Sequence, residues 1–174
     1  MSTDPTIIPA IAADGSLYPV EKLKAHTDGL PHLAVSVFVF DGDHLLIQKR
    51  AVSKYHCGGL WANSCCSHPH WNESVEKCAE RRLVEELGFS VPLSRRQMVE
   101  YSADVGNGLY ENEKVTMFTG RADRTTLKIL PDPLEVEDTR WITRGELHAE
   151  IMQHPERFTP WFRIYVERDP ELAF

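Results

Sequence analysis

Residues 33–40, LAVSVFVF, make an apolar run of strand length, and residues 44–50 a second β-rich run after the polar break Asp41-Gly42-Asp43. Branched and aromatic residues on both sides of an Asp-Gly turn predict a hairpin. A smaller hairpin is expected over residues 7–20 around Asp14-Gly15, leading into a helical turn that carries Glu21, Lys22, Lys24 and His26. This N-terminal segment is polar and is expected at the surface. Residues 51–59 read as a basic, glycine-containing loop and 60–66 as one short strand, which the proline of His68-Pro69-His70 brings to an end. Asn72 or Ser74 can cap a helix that runs to about Leu87, with Gly88 placed to terminate it. Further strands are expected over 97–105 and 109–122, joined by Gly106-Asn107-Gly108, and over 137–142, with helices at 144–153 and 159–168. Strands and helices do not alternate regularly. The predicted fold is therefore α+β, a mixed sheet sandwiched between helices, and not a doubly wound parallel sheet.

Two sets of charges break this pattern. On a helical wheel Val75, Cys78, Ala79, Leu83 and Leu87 form one apolar arc, and Arg82 and Glu86 fall inside it. An ionised side chain facing the protein body is costly unless it is paired or holds an ion. One reading is a structural Arg82–Glu86 pair at i, i+4. The other presents both at a cleft, the carboxylate toward Mg²⁺ and the guanidinium toward a phosphate. The second set is Glu111-Asn112-Glu113. Strand alternation puts Glu111 and Glu113 on the same face as Val115 and Met117, so the glutamates point inward unless a bulge or register shift exposes them. A metal ion would resolve the repulsion between them, and imidazoles such as His26, His32 and His68 would make a mixed N/O site suited to Mn²⁺, Fe²⁺ or Zn²⁺.

Composition narrows the classes. The chain has 174 residues and a formal net charge of −7, which argues against a nucleic-acid binder that works by phosphate neutralisation. At about 100–200 residues per domain, residues 1–174 are expected to form one domain. The longest apolar run is too short for a membrane span, and the stretch MSTDPTIIPAIAADG has neither the basic nor the apolar region of a leader, so a cytoplasmic protein is expected. The four cysteines, Cys57, Cys65, Cys66 and Cys78, follow no common zinc spacing and suit free thiols in a reducing compartment. Cys78 belongs to the core by position. Cys66, two residues from His68, is a candidate for proton transfer.

The segment SHPHWNESVEKCAERRLVEELGF resembles the Nudix box, G-x5-E-x7-R-E-U-x-E-E-x-G-U, where U is aliphatic. Glu73, Arg81, Leu83, Glu85, Glu86 and Gly88 match, whereas Ser67 replaces the first glycine, Arg82 replaces a glutamate and Phe89 ends the box. Losing a carboxylate at position 82 weakens the expectation of metal-assisted diphosphate hydrolysis. Together with AHTDGLPH, KRAVSK, GLWANSCCSHPHWNE and YENE, the box resembles the type 1 isopentenyl diphosphate isomerase family from about Lys22 to Trp161.

That resemblance implies a Nudix-like fold and an isomerase that interconverts isopentenyl and dimethylallyl diphosphate through a tertiary carbocation, in isoprenoid biosynthesis. It implies one divalent metal, Mn²⁺ first and Zn²⁺ second, on His26, His32, His68, Glu111 and Glu113. It further implies Mg²⁺ on Glu86 and the backbone carbonyl of Cys66, and diphosphate contacts from Lys22, Arg50, Lys54 and Arg82. Cys66 and Glu113 would be the two proton-transfer groups, assisted by Tyr101, with the lean toward Glu113 as donor to the alkene. Trp161 would face the cation. No flavin is expected, the partner is a small-molecule diphosphate, and the oligomeric state stays open. A Nudix hydrolase and a catalytically silent metal-binding module are the rival classes.

Overall fold

The computed structural model describes residues 6–169. The first five residues of the stretch judged not to be a leader lie outside them. Nine strands form one mixed sheet. The central strand, β3 (His32–Asp41), pairs in parallel with β8 (Leu109–Arg121), while every other strand pairing is antiparallel. Beside β8 lies β7 (Leu93–Gly106), and on the other flank β4 (His44–Arg50) carries β9 (Val136–Thr143). The N-terminal hairpin, β1 (Ile7–Ile11) and β2 (Leu17–Glu21), joins at Ala10 opposite His32.

The apolar run of β3 is buried on both faces, which is why it lacks alternation. Val35, Val37 and Val39 pack with Cys78, Ala79, Leu83 and Leu87 of α2 (Val75–Leu87). Phe38 and Phe40 face the opposite layer, where α3 (Arg144–Gln153) contributes Leu147 and α4 (Pro160–Arg168) contributes Trp161, Phe162 and Tyr165. The arrangement is the expected helix–sheet–helix sandwich.

Three expectations need correction. The N-terminal segment is not superficial: Ile8, Ala10, Val20 and Ala25 form a small core of their own, and His26 of α1 (Lys22–Asp28) is fully buried. Residues 60–66 are not one strand. They split into β5 (Trp61–Ala62), which pairs with β4, and β6 (Cys65–Ser67), which pairs with β3. At the break, side chains replace ladder bonds: Asn63 donates to the Val37 and Cys65 carbonyls, and Ser64 donates to the Leu46 carbonyl and accepts from Val39 N–H. The segment thus wedges between β3 and β4, which pair only beside their turn and then diverge. Finally, β7 begins at Leu93 instead of 97, because a bulge between Arg95 and Met98 carries the pairing past the irregular stretch.

Helix α2 starts and stops as its residues dictate. Ser74 Oγ accepts from Lys77 N–H, and Gly88 adopts φ 74°, where a Cβ would sit 2.5 Å from the Leu130 carbonyl oxygen. Its last carbonyls are bonded by the following loop, Leu130 N–H to Leu87 and Asp132 N–H to Glu86. This fixes the turn that carries Glu86.

Candidate active site

Where β3 and β4 splay, a cleft of about 440 Å³ opens, lined by Lys22, Arg50, Lys54, Cys66, His68, Arg82, Glu86, Tyr101, Glu111, Glu113 and Trp161 among others. Residues from distant parts of the chain meet there, and His26 and His32 lie beside His68, with ring centroids 5.1 Å and 5.0 Å from it. Of the residues expected to bind metal or substrate or to carry protons, all line this cleft except His26 and His32, which lie against His68.

Strand geometry supplies the carboxylates. In the parallel ladder His32 is the register partner of Glu113, and alternation brings Glu111 to the same face. Both are buried, 3% and 7% exposed, so the bulge that would have turned them outward is not formed. Their environment is polarised. His26 Nδ1 lies 2.7 Å from the Lys22 carbonyl, and His32 Nδ1 lies 2.7 Å from the Leu30 carbonyl. A carbonyl only accepts, so each Nδ1 carries the proton and each Nε2 is left with a lone pair. Both Nε2 atoms are buried and unpartnered, and His32 Nε2 stands 3.4 Å from Glu113 Oε1, lone pair against lone pair. An electrophile between them removes the conflict. The ligand atoms of His26, His32, His68 and Glu113 lie within 4.8 Å of one another, as do those of His26, His56 and Glu111, so the donor set fits a divalent ion. Burial pushes His26 down to about 4 and His68 to about 3, which keeps the imidazoles neutral, the form that binds metals.

Tyr101 connects the glutamates. Its hydroxyl oxygen is 2.6 Å from Glu111 Oε2 and 2.8 Å from Glu113 Oε2. A phenol has one proton to give, so the second short contact requires a proton on a carboxyl group. Glu111 holds it: burial and the charge of Glu113 push its pKa well above the carboxylate range. Burial would raise Glu113 too, but its interactions with His68 and His32 hold it well below, so it stays ionised.

Cys66 sits on β6, beside Ser36 and Tyr165. Its thiol contacts Asn63 Oδ1 at 2.9 Å and Ser36 Oγ at 3.3 Å, and burial pushes it up to about 12. At the opposite wall four cations converge. Burial together with Lys54, Arg82 and Arg50 lowers Lys22 to about 8, a mark of crowded positive charge that a polyanion would relieve. Arg50 stacks 5.2 Å over the Trp161 ring. Arg82 does pair with Glu86, at 2.7 Å, as the structural reading of the helix requires, and it also reaches Glu135 at 3.3 Å while lining the cleft. The two readings of this pair are compatible. Lys54 also binds Glu135, at 2.5 Å.

Sequence reasoning missed Glu135, Gln48 and His56. Gln48 donates to Glu86 Oε2 at 2.8 Å, holding the helix carboxylate toward the cleft. Glu135 and His56 lie in loops, where no periodicity assigns a face. The basic Lys54-Tyr55-His56 run was the available signal for His56. Cys57, Cys65, Cys66 and Cys78 are all unpaired, as expected.

The sandwich and the helix-borne box define a Nudix domain, and the family model described as NUDIX domain matches residues 30–162. A solved Deinococcus radiodurans protein shares the fold at TM-score 0.75 and 14% identity, covering 93% of this chain and 98% of its own. A MutT NUDIX hydrolase from Burkholderia pseudomallei does so at TM-score 0.62 and 21%, covering 80% of this chain and 98% of its own. Sequence relatives are far nearer. A Cereibacter sphaeroides protein named isopentenyl-diphosphate Delta-isomerase is 52% identical over 98% of this chain and 96% of its own length. Its namesake from Ruegeria pomeroyi is 50% identical over 97% and 93%. The chain belongs to the isopentenyl-diphosphate Delta-isomerase family.

Proposed function

We infer that this chain interconverts isopentenyl diphosphate and dimethylallyl diphosphate, moving a carbon–carbon double bond for isoprenoid biosynthesis. The observation that carries the reading is the pairing, in one buried cleft, of a thiol at Cys66 with the Glu111–Tyr101–Glu113 set, beside a wall of cations. An unactivated alkene is a weak base, and its protonation gives a tertiary carbocation. A proton donor, a proton acceptor and exclusion of water are therefore all required.

Cys66 and Glu113 are assigned as the two proton-transfer groups. One begins with a proton and the other without, and turnover exchanges these states. At rest Cys66 is a thiol and Glu113 is ionised, so in this reading one proton first passes from Cys66 to Glu113, leaving Glu113, one hydrogen bond from Tyr101, as donor to the alkene and the Cys66 thiolate as acceptor. Trp161, stacked on Arg50, offers its ring to the developing cation, worth about 0.5–2 kcal/mol. Lys22, Arg50, Lys54 and Arg82 bind the diphosphate and orient the five-carbon tail.

His26, His32, His68, Glu111 and Glu113 would hold one divalent ion, Mn²⁺ by preference and Zn²⁺ second, which supplies fixed positive charge beside Glu113. Mg²⁺ on Glu86 and the Cys66 carbonyl would neutralise part of the diphosphate charge. Proton transfer needs no redox partner, so no flavin is assigned. Four free thiols suit a reducing compartment, and the reaction is placed in the cytoplasm. Among the described residues no helix is long and apolar enough to cross a membrane. The acidic net charge speaks against nucleic acid as a partner.

Incubation with isopentenyl diphosphate and Mg²⁺ in deuterated water tests the reading. Dimethylallyl diphosphate carrying solvent deuterium is the expected product. Phosphate release without it would instead establish a hydrolase. Cys66→Ala and Glu113→Gln are expected to abolish isomerisation while leaving the circular dichroism spectrum unchanged, and near-wild-type turnover in either removes that residue from the chemistry.

A further inference from the structure

We propose that Glu135 is a positioning residue for the diphosphate: its carboxylate holds Lys54 and Arg82 side by side in the cleft wall before substrate arrives. This rests on the reading that those cations bind the diphosphate, and it adds a residue that lies outside that set.

One oxygen serves both cations. Glu135 Oε2 lies 2.5 Å from Lys54 Nζ and 3.3 Å from Arg82 Nη2, and all three side chains are mostly buried, at 24%, 19% and 17% exposed. Arg82 has two further carboxylates, Glu85 at 2.8 Å and Glu86 at 2.7 Å. Among the described residues Lys54 pairs with Glu135 alone. A lysine is a point charge on a flexible stem, so this one carboxylate both fixes its head and offsets its repulsion from the other cations of the wall.

The backbone around Glu135 is tied to both elements it serves. Its carbonyl accepts from Ala51 N–H at 2.9 Å, at the start of the loop that carries Lys54, and Lys54 N–H donates to the Ala51 carbonyl at 3.1 Å. Its own N–H donates to the Asp132 carbonyl at 2.9 Å, and Asp132 N–H donates to the Glu86 carbonyl at 3.0 Å, in the last turn of α2. The carboxylate therefore sits where the β4–β5 loop meets α2, with its place set by both. A negative charge beside a phosphate site costs affinity through Coulomb repulsion. Preorganisation accounts for its presence: cations held in register beforehand lose less freedom when the polyanion arrives.

Repulsion and preorganisation carry opposite signs, and Glu135→Gln, which keeps the shape and removes the charge, separates them. Relief of repulsion alone tightens pyrophosphate binding, whereas loss of positioning weakens it. In the full-length protein with Mg²⁺, the Kd for inorganic pyrophosphate, measured by isothermal titration calorimetry, is expected to rise about tenfold, the scale of one charge-assisted hydrogen bond. KM for isopentenyl diphosphate is expected to rise by the same factor with kcat little changed, and Glu135→Asp to recover most of the loss. In a double-mutant cycle with Lys54→Met, the effect of Glu135→Gln is expected to shrink by about threefold or more. Unchanged or tighter pyrophosphate binding in Glu135→Gln overturns the proposal, and so do additive effects in the cycle. One readout needs no variant: the Lys54 ammonium is expected as a resolved ¹H–¹⁵Nζ resonance in the ligand-free wild type, and its appearance only after pyrophosphate is added also overturns the proposal. Isomerase turnover is scored separately. Wild-type turnover with an unaltered pyrophosphate Kd in Glu135→Gln sinks this proposal alone, and coupling of Glu135 to Lys54 without turnover supports it while sinking the functional reading.

Discussion

Tyr101 sits between two carboxylates that cannot both be ionised at such close range, and its hydroxyl decides where the shared proton lies. Removing that hydroxyl leaves the side chain volume and the packing against Tyr165 nearly intact. Tyr101→Phe is therefore expected to fold normally and to lose about 10²-fold in kcat, the usual worth of a placed proton-transfer group, as measured by the rate of dimethylallyl diphosphate formation. A loss below threefold would show that Glu113 works without it. The inward glutamates were legible in the sequence because period-2 alternation with Val115 and Met117 fixes their face. The residues at Arg82 and Glu86 were legible because charge in an apolar arc has to be explained. His56, Gln48 and Glu135 were not, since a loop or a single polar residue in an apolar strand carries no periodic signal, and only the fold brings them to the cleft. Convergence of His26, His32 and His68 was legible through family resemblance, not through their spacing.

Secondary-structure elements hold these side chains still. Ahead of α2, Glu73 accepts from Arg81 Nε at 2.7 Å and Nη2 at 2.8 Å, and from His70 N–H at 2.8 Å, stapling the loop after β6 to the helix. These bonds with Arg81 hold the Glu73 pKa below its ordinary value. A carboxylate depressed in the folded state contributes stability above its unfolded pKa and loses it as pH falls through the folded one. Glu73→Gln is expected to lower stability by about 1–2 kcal/mol at neutral pH, and the gap to wild type should close below about pH 4. Urea midpoints across that range check it; a gap independent of pH would assign the effect to shape and not to charge. The helix itself was readable from caps and wheel alone. The division of residues 60–66 was not, because it arises from the splaying of β3 from β4, a relation between strands that local pattern does not contain.

At the scale of the whole molecule, the candidate donors come from α1, β3, β8 and His68 directly after β6, so an ion at this centre would tie the N-terminal hairpin unit to the main sheet. Ligand binding to the folded state alone stabilises by mass action, about 2.7 kcal/mol when the free ion is a hundredfold above its Kd. For a chain of this size that corresponds to roughly 5–10 °C. Dialysis against a chelator is expected to lower Tm by that amount, and stepwise return of Mn²⁺ to restore it in a concentration-dependent way; a Tm indifferent to chelation would mean that the cage is held by packing alone. Strand register has a further consequence for a chain being made. His26 and His32 leave the ribosome long before Glu111 and Glu113, and until β8 docks beside β3 those imidazoles face no carboxylate. An ion that needs these imidazoles and carboxylates together would therefore be captured only after β8 has docked beside β3, when eight of the nine strands have already been made.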